Sequence, residues 1–150
     1  DELVAAGEFT HHMGALNALT AFIAPEFQPF NFTNPGFNTD VIRSSVQQRL
    51  CYVLAQDDSD NSRLANMDFL KRFINNALKI GNGWNDCIKP DFITYHHRGA
   101  YSNTYGVEAL QQSSIMNMML KNSAYELNTE AQSNLKSAIL NYSKFSKDFF

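Results

Sequence analysis

Hydrophobic periodicity limits what this chain can fold into more than any other feature. Between Thr39 and Gln56 the apolar residues Val41, Ile42, Val46, Leu50, Val53 and Leu54 recur at intervals of three and four, which places them on one face of an α-helix. Thr39 is the expected N-cap, and Asp40 puts a negative charge in the first turn, where the helix dipole favours one. The rhythm returns in Asn61–Ile80 (Leu64, Met67, Leu70, Phe73, Ile74, Ala77, Leu78), with Gly81 as the expected C′ residue. It returns again in Gly106–Lys121 (Leu110, Ile115, Met118, Met119, Leu120) and in Thr129–Lys147 (Leu135, Ala138, Ile139, Tyr142, Phe145), the latter opened by a Thr129/Gln132 capping box. An earlier helix is predicted over Thr10–Ala24, ended by Pro25. No convincing strand and no glycine-rich phosphate loop is visible, so the expected fold is all-α. Stacked antiparallel helical hairpins, each burying a face against the next, are the unit of bundles, solenoids and toroids.

Composition narrows the class further. The chain has 150 residues, 44% of them apolar, enough for one helical domain over 1–150 with a real core. The net charge of −3 gives no overall attraction for nucleic acid or membrane. No apolar run approaches the roughly 20 residues a bilayer span needs, and the opening DELVAAGEFT has no basic n-region. Both ends read as cuts through a larger protein. Cys51 and Cys87 read as free thiols, with Cys51 buried on its helical face. Phe27, Phe30, Phe32 and Phe37 in the Pro-rich stretch 25–38 read as a cover for the core.

One stretch escapes the helical pattern. Lys89–Gly106, KPDFITYHHRGAYSNTYG, gathers Tyr95, His96, His97, Arg98, Tyr101 and Tyr105 in 18 residues. Such a composition suits either a polar surface loop pinned by its aromatics or a site of chemistry. Histidine is the side chain most ready to exchange protons near neutral pH. A His and a Tyr held together suit abstraction of a proton from carbon beside a carboxyl group, with a proton returned to a leaving oxygen. Competing chemistries lack support. Ser102 and Cys87 stand in no nucleophile frame. His11, His12, His96 and His97 have no zinc-ligand spacing. The acidic turn at 57–62 lacks the EF-hand register. Asp86, Asp91 and Glu108 form no persuasive carboxylate pair for glycoside hydrolysis.

The residues of the loop resemble the catalytic loop of polysaccharide lyases of the chondroitinase ABC type. Lys89-Pro90-Asp91, the run Tyr95-His96-His97-Arg98-Gly99-Ala100-Tyr101 and then Tyr105 stand where that group has Arg/Lys-Pro-Asp-Gly, Trp-Arg-His-Glu-Gly-Asn-Tyr and a second catalytic tyrosine. Thr10-His11-His12-Met13-Gly14 resembles the group's Thr-His-His-Trp-Gly. Departures are His96 for Arg, Arg98 for Glu, Phe92 for Gly, and one extra residue between His97 and Tyr105.

The resemblance implies a fragment of an (α/α)-toroid catalytic domain that cleaves uronic-acid glycosaminoglycans by β-elimination. It implies His97 and Tyr105 as the catalytic pair, Tyr101 and Gly99 shaping the loop, and His11, His12, His96, Arg98, Tyr95 and Trp84 as supporting or substrate-binding residues. No resident cofactor or metal is implied, with a divalent cation such as calcium left open. The partners implied are an acidic polysaccharide and the remaining domains of the same polypeptide, which would carry a further catalytic Arg and Glu, so that the chain alone would be inactive. A secreted or periplasmic bacterial setting follows from the same resemblance. Two alternatives remain: a non-catalytic helical carbohydrate-binding or scaffold module, and a glycoside hydrolase on a related toroid.

Overall fold

The computed structural model describes residues 39–56, 61–86, 88–100 and 104–147. Within them the fold is all-α apart from one small hairpin. The elements are α1 (Thr39–Ala55), α2 (Asn61–Ala77), β1 (Tyr95–His96), β2 (Gly99–Ala100), α3 (Thr104–Leu120) and α4 (Thr129–Lys147). The helix predicted over Thr10–Ala24, the aromatic stretch 25–38 and Cys87 lie outside the described residues.

The apolar stripes pack as their spacing requires. α1 lies chiefly against α3 and also meets α2, while α4 touches both α2 and α3. Ile42, Val46 and Leu50 from α1, Phe73 and Ile74 from α2, and Met116 from α3 are among the buried core. Each such side chain contributes about 1.5–3 kcal/mol by leaving water.

The stripes are narrower than the sequence suggests. Leu54, Leu64, Met118, Met119 and Ile139 are exposed, and so is Cys51, which the sequence reading buries. Cys51, Leu54 and Ile139 each follow a buried residue (Leu50, Val53, Ala138). One step along a helix is about 100° of rotation, enough to leave the buried face. On α3 the buried positions are Gly106, Ala109, Leu110, Ser113, Met116 and Leu120. That set has helical spacing, but its glycine and serine are invisible to a count of apolar residues.

The helix ends also differ from expectation. α2 stops at Ala77, not Ile80, and the next carbonyl, Leu78 O, accepts a 2.9 Å hydrogen bond from Asn134 Nδ2 on α4. Gly81 is not the left-handed C′ residue; its N–H donates to Ile88 O at 3.0 Å, and the positive φ falls at Gly83 (74°). The cap of α4 is Asn128, whose Oδ1 accepts from Ala131 N at 2.8 Å, so Thr129 is already helical.

The described residues between α2 and α3 are closely hydrogen-bonded. Ile88, fully buried, bridges Ile80 on one side and Thr94 on the other. Lys89 N donates to Ile93 O (2.9 Å) and Phe92 N to Lys89 O (2.7 Å), closing a three-residue loop over Pro90-Asp91-Phe92. Such loops end in a left-handed residue, usually glycine, and Phe92 takes that role at φ 61°. The conformation costs a non-glycine residue about 1–2 kcal/mol, offset by packing of the Phe92 ring on the core. From α4, Tyr142 OH accepts from Thr94 N at 3.2 Å and lies 2.5 Å from Thr94 Oγ1, while Asn141 Nδ2 donates to Asp91 O at 2.9 Å.

β1 and β2 pair antiparallel, Tyr95 with Ala100 and His96 with Gly99. His97 and Arg98 form the two-residue turn, at φ 51° and 63°, the backbone signature of a type I′ turn. The sequence shows no strand here because two-residue strands are too short to display an alternating period.

Candidate functional site

The hairpin sorts its adjacent histidines by exposure. His96, the last residue of β1, is buried with 3% of its surface exposed. His97, at the tip, is exposed, as is Arg98 beside it. Successive strand residues face opposite ways, so Tyr95 lies on the other face of β1 from His96. Its ring is half-buried beneath the Lys89 ammonium, 4.8 Å from the ring centre.

Tyr105 comes to the same place from a different element. α3 begins at Thr104, earlier than the expected Gly106, so Tyr105 sits in the helix's first turn rather than in the loop. It is half-buried. Its ring centre lies 4.9 Å from that of His96, near-parallel at 29°, and 6.2 Å from that of His97, edge-on at 71°. The two imidazoles are 3.7 Å apart, centre to centre. His96 is therefore the hub against which both other rings rest.

Two carboxylates brace this cluster. Asp86 Oδ2 lies 2.7 Å from His96 Nδ1, and Thr39 Oγ1 at the start of α1 donates to the same oxygen at 3.4 Å. One turn along α1, the Arg43 guanidinium lies over the Tyr105 ring, 4.3 Å from its centre. Arg43 Nη1 also donates to Glu108 Oε2 at 3.1 Å. Tyr105 and Glu108 are i,i+3 on α3 and Thr39 and Arg43 are i,i+4 on α1, so each pair shares a helix face. A half-exposed pair such as Arg43–Glu108 contributes about 0–1 kcal/mol, as does an exposed cation over a ring. Their effect is geometric more than energetic.

The structure thus brings together His96, His97 and Tyr105 and adds Arg43, Asp86 and Glu108. Sequence reasoning misses Arg43. Its signal is the i,i+4 spacing from Thr39, which marks one face of α1 as reaching the loop. Asp86 and Glu108 enter the sequence reading only as hydrolytic carboxylates; both are instead engaged with basic side chains. Gly99 has no positive φ, and a Cβ there would meet nothing within 4 Å, so the turn does not need glycine at that position. Trp84 is exposed on the 81–86 loop. His11, His12 and Tyr101 lie outside the described residues.

No three His, Cys, Asp or Glu side chains cluster as metal ligands among the described residues. No described helix is long and apolar enough to cross a membrane. A shallow cavity of about 230 Å³ lies between α3 and α4, lined by residues such as Asn117, Gln132 and Lys136 and by none of the His/Tyr cluster.

An exposed imidazole on the hairpin and a tyrosine in the first turn of α3, both resting on a carboxylate-braced buried histidine, thus meet on an all-α scaffold. Residues 10–149 match the family model described as "Lyase, catalytic", and the chain belongs to that lyase catalytic-domain family. No curated protein matches the chain.

Proposed function

We propose that this domain belongs to a polysaccharide lyase of the chondroitinase ABC type, cleaving uronic-acid glycosaminoglycans such as chondroitin or dermatan sulfate by β-elimination. The observation that carries the reading is the approach of exposed His97 to Tyr105, 6.2 Å between ring centres, within a lyase catalytic domain.

In the proposed reaction a base takes the proton from C5 of the uronate. The electron pair left behind forms the C4=C5 double bond, the C4–O4 bond breaks, and the Tyr105 hydroxyl protonates O4. His97 or Tyr105 is the base, according to the epimer of the uronate. Abstraction beside a carboxylate builds negative charge on that group, and donors fixed in advance lower its cost. His12 is the proposed donor here, joined by an Arg and a Glu supplied from other parts of the polypeptide. Trp84, exposed, suits stacking on a sugar ring, whereas the Tyr95 ring is covered by the Lys89 ammonium. Release outside the cytoplasm, to the periplasm or medium, fits a polymeric substrate.

The test is ultraviolet absorbance from a 4,5-unsaturated uronate, measured on the protein with whatever further domains its polypeptide carries. The hydrolase alternative would release sugar ends without that absorbance. It is disfavoured because Asp86 and Glu108 are engaged by His96 and Arg43, whereas glycoside hydrolysis needs two carboxyl groups facing one bond.

A further inference from the structure

We infer that Asp86 is a positioning residue of this site, acting through His96. The inference rests on the lyase reading and adds a residue that reading does not use. His96 cannot be the group that meets a substrate, because its ring is buried to 3% and its Nε2 is buried with it. His97 and Tyr105, exposed and half-exposed, can. Both rest on the His96 ring, at 3.7 and 4.9 Å between centres. What orients His96 therefore sets the angle and separation of the pair that moves protons.

The 2.7 Å contact from His96 Nδ1 to Asp86 Oδ2 is that orienting bond. A carboxylate only accepts, so the Nδ1 carries the hydrogen, which fixes the tautomer and the rotation of the ring about its Cβ–Cγ bond. Asp86 is itself fixed by Thr39 Oγ1 on α1, and His96 by the β1–β2 pairing. The chain of contacts runs from α1 through Asp86 to His96 and on to His97 and Tyr105. His97 needs such a support, since it stands at φ 51° in a turn with no glycine at either central position.

The measurement compares Asp86→Ala and Asp86→Asn with wild type, each in the protein with whatever further domains its polypeptide carries, using both kinetics and imidazole nitrogen NMR. Misplacing a reacting group by about 1 Å costs on the order of 100-fold in rate. Asp86→Ala is therefore expected to lower kcat by about 100-fold while leaving KM within about twofold, the split expected for an interaction that does not bind substrate. In Asp86→Asn the side-chain amide carbonyl still accepts from Nδ1–H, so this variant is expected to recover most of kcat. In nitrogen spectra His96 should carry its proton on Nδ1 in wild type and Asp86→Asn, and lose that fixed tautomer in Asp86→Ala. Wild-type kcat in Asp86→Ala, a loss confined to KM, or a wild-type His96 unprotonated at Nδ1 would each overturn the inference. Absence of eliminative activity in wild type would instead remove the lyase reading, and the tautomer measurement would still decide whether Asp86 orients His96.

Discussion

The hairpin that carries His96 and His97 is tied to α4 through the Tyr142 hydroxyl, and that tie can be measured. Tyr142 OH serves Thr94 at two atoms, the backbone N at 3.2 Å and Oγ1 at 2.5 Å. Thr94 is 1% exposed and directly precedes β1. Tyr142→Phe removes the hydroxyl and leaves both Thr94 groups buried without it. A buried polar group deprived of its partner costs about 1–3 kcal/mol, so the expected loss is about 2 kcal/mol. For a chain of this size that is a fall in Tm of about 4–8 °C. Thr94→Val removes the hydroxyl bond but not the amide bond, and is expected to cost about 1 kcal/mol. Because both variants break the same Oγ1–OH contact, the double variant should cost less than the sum by about 1 kcal/mol. Urea unfolding of the four forms, followed by circular dichroism, gives the cycle. Amide exchange at Thr94 should quicken in Tyr142→Phe. Strict additivity, or a Tyr142→Phe variant as stable as wild type, would refute the view that α4 anchors the site hairpin.

The turn itself gives a paired test, because its glycine stands one residue too late. Arg98 holds φ 63° without being glycine, while Gly99 needs no special backbone and faces open space. Arg98→Gly should relieve about 1–2 kcal/mol of strain, of which about 0.5–1 kcal/mol is returned to the greater freedom of glycine in the unfolded chain, so Tm should rise slightly. Gly99→Ala should also raise stability, by about 0.4–1 kcal/mol. A fall in Tm for both would mean that the turn is not the type I′ its dihedrals describe.

Much of the scaffold is legible in the sequence. The stripes of α1 and α2 have their central members where periodicity puts them, since Ile42, Val46, Phe73 and Ile74 all bury. Periodicity misleads at the edges, where an apolar residue sits one position past the stripe, as at Leu54 and Ile139. On α3 the buried face includes Gly106 and Ser113, which hydrophobicity does not mark. Helix ends escape local signals where a distant residue decides them: Asn134, 56 positions away, takes the carbonyl of Leu78.

The site shows the same division. His96, His97 and Tyr105 lie within ten residues, so composition alone draws attention to them. Which histidine is buried is not legible, because it depends on a two-residue strand and a turn without its usual glycine. The braces are harder still. Thr39 and Asp86 are 47 positions apart and Arg43 and Glu108 are 65 apart, so no local window contains either pair. Only the i,i+4 relation of Thr39 and Arg43 hints that one face of α1 looks toward the loop.

The central claim is proton transfer by His97 and Tyr105 in an elimination, and one experiment addresses it directly. A uronic-acid glycosaminoglycan is incubated with the protein, together with whatever further domains its polypeptide carries, or with its Tyr105→Phe variant, and ultraviolet absorbance and new reducing ends are followed together. Wild type should generate both in step as the C4=C5 bond forms. Tyr105→Phe should generate neither while melting close to the wild-type temperature, since only the hydroxyl is lost and the ring contacts to His96 and Arg43 remain. Reducing ends without absorbance, or near-wild-type turnover by Tyr105→Phe, would contradict the account.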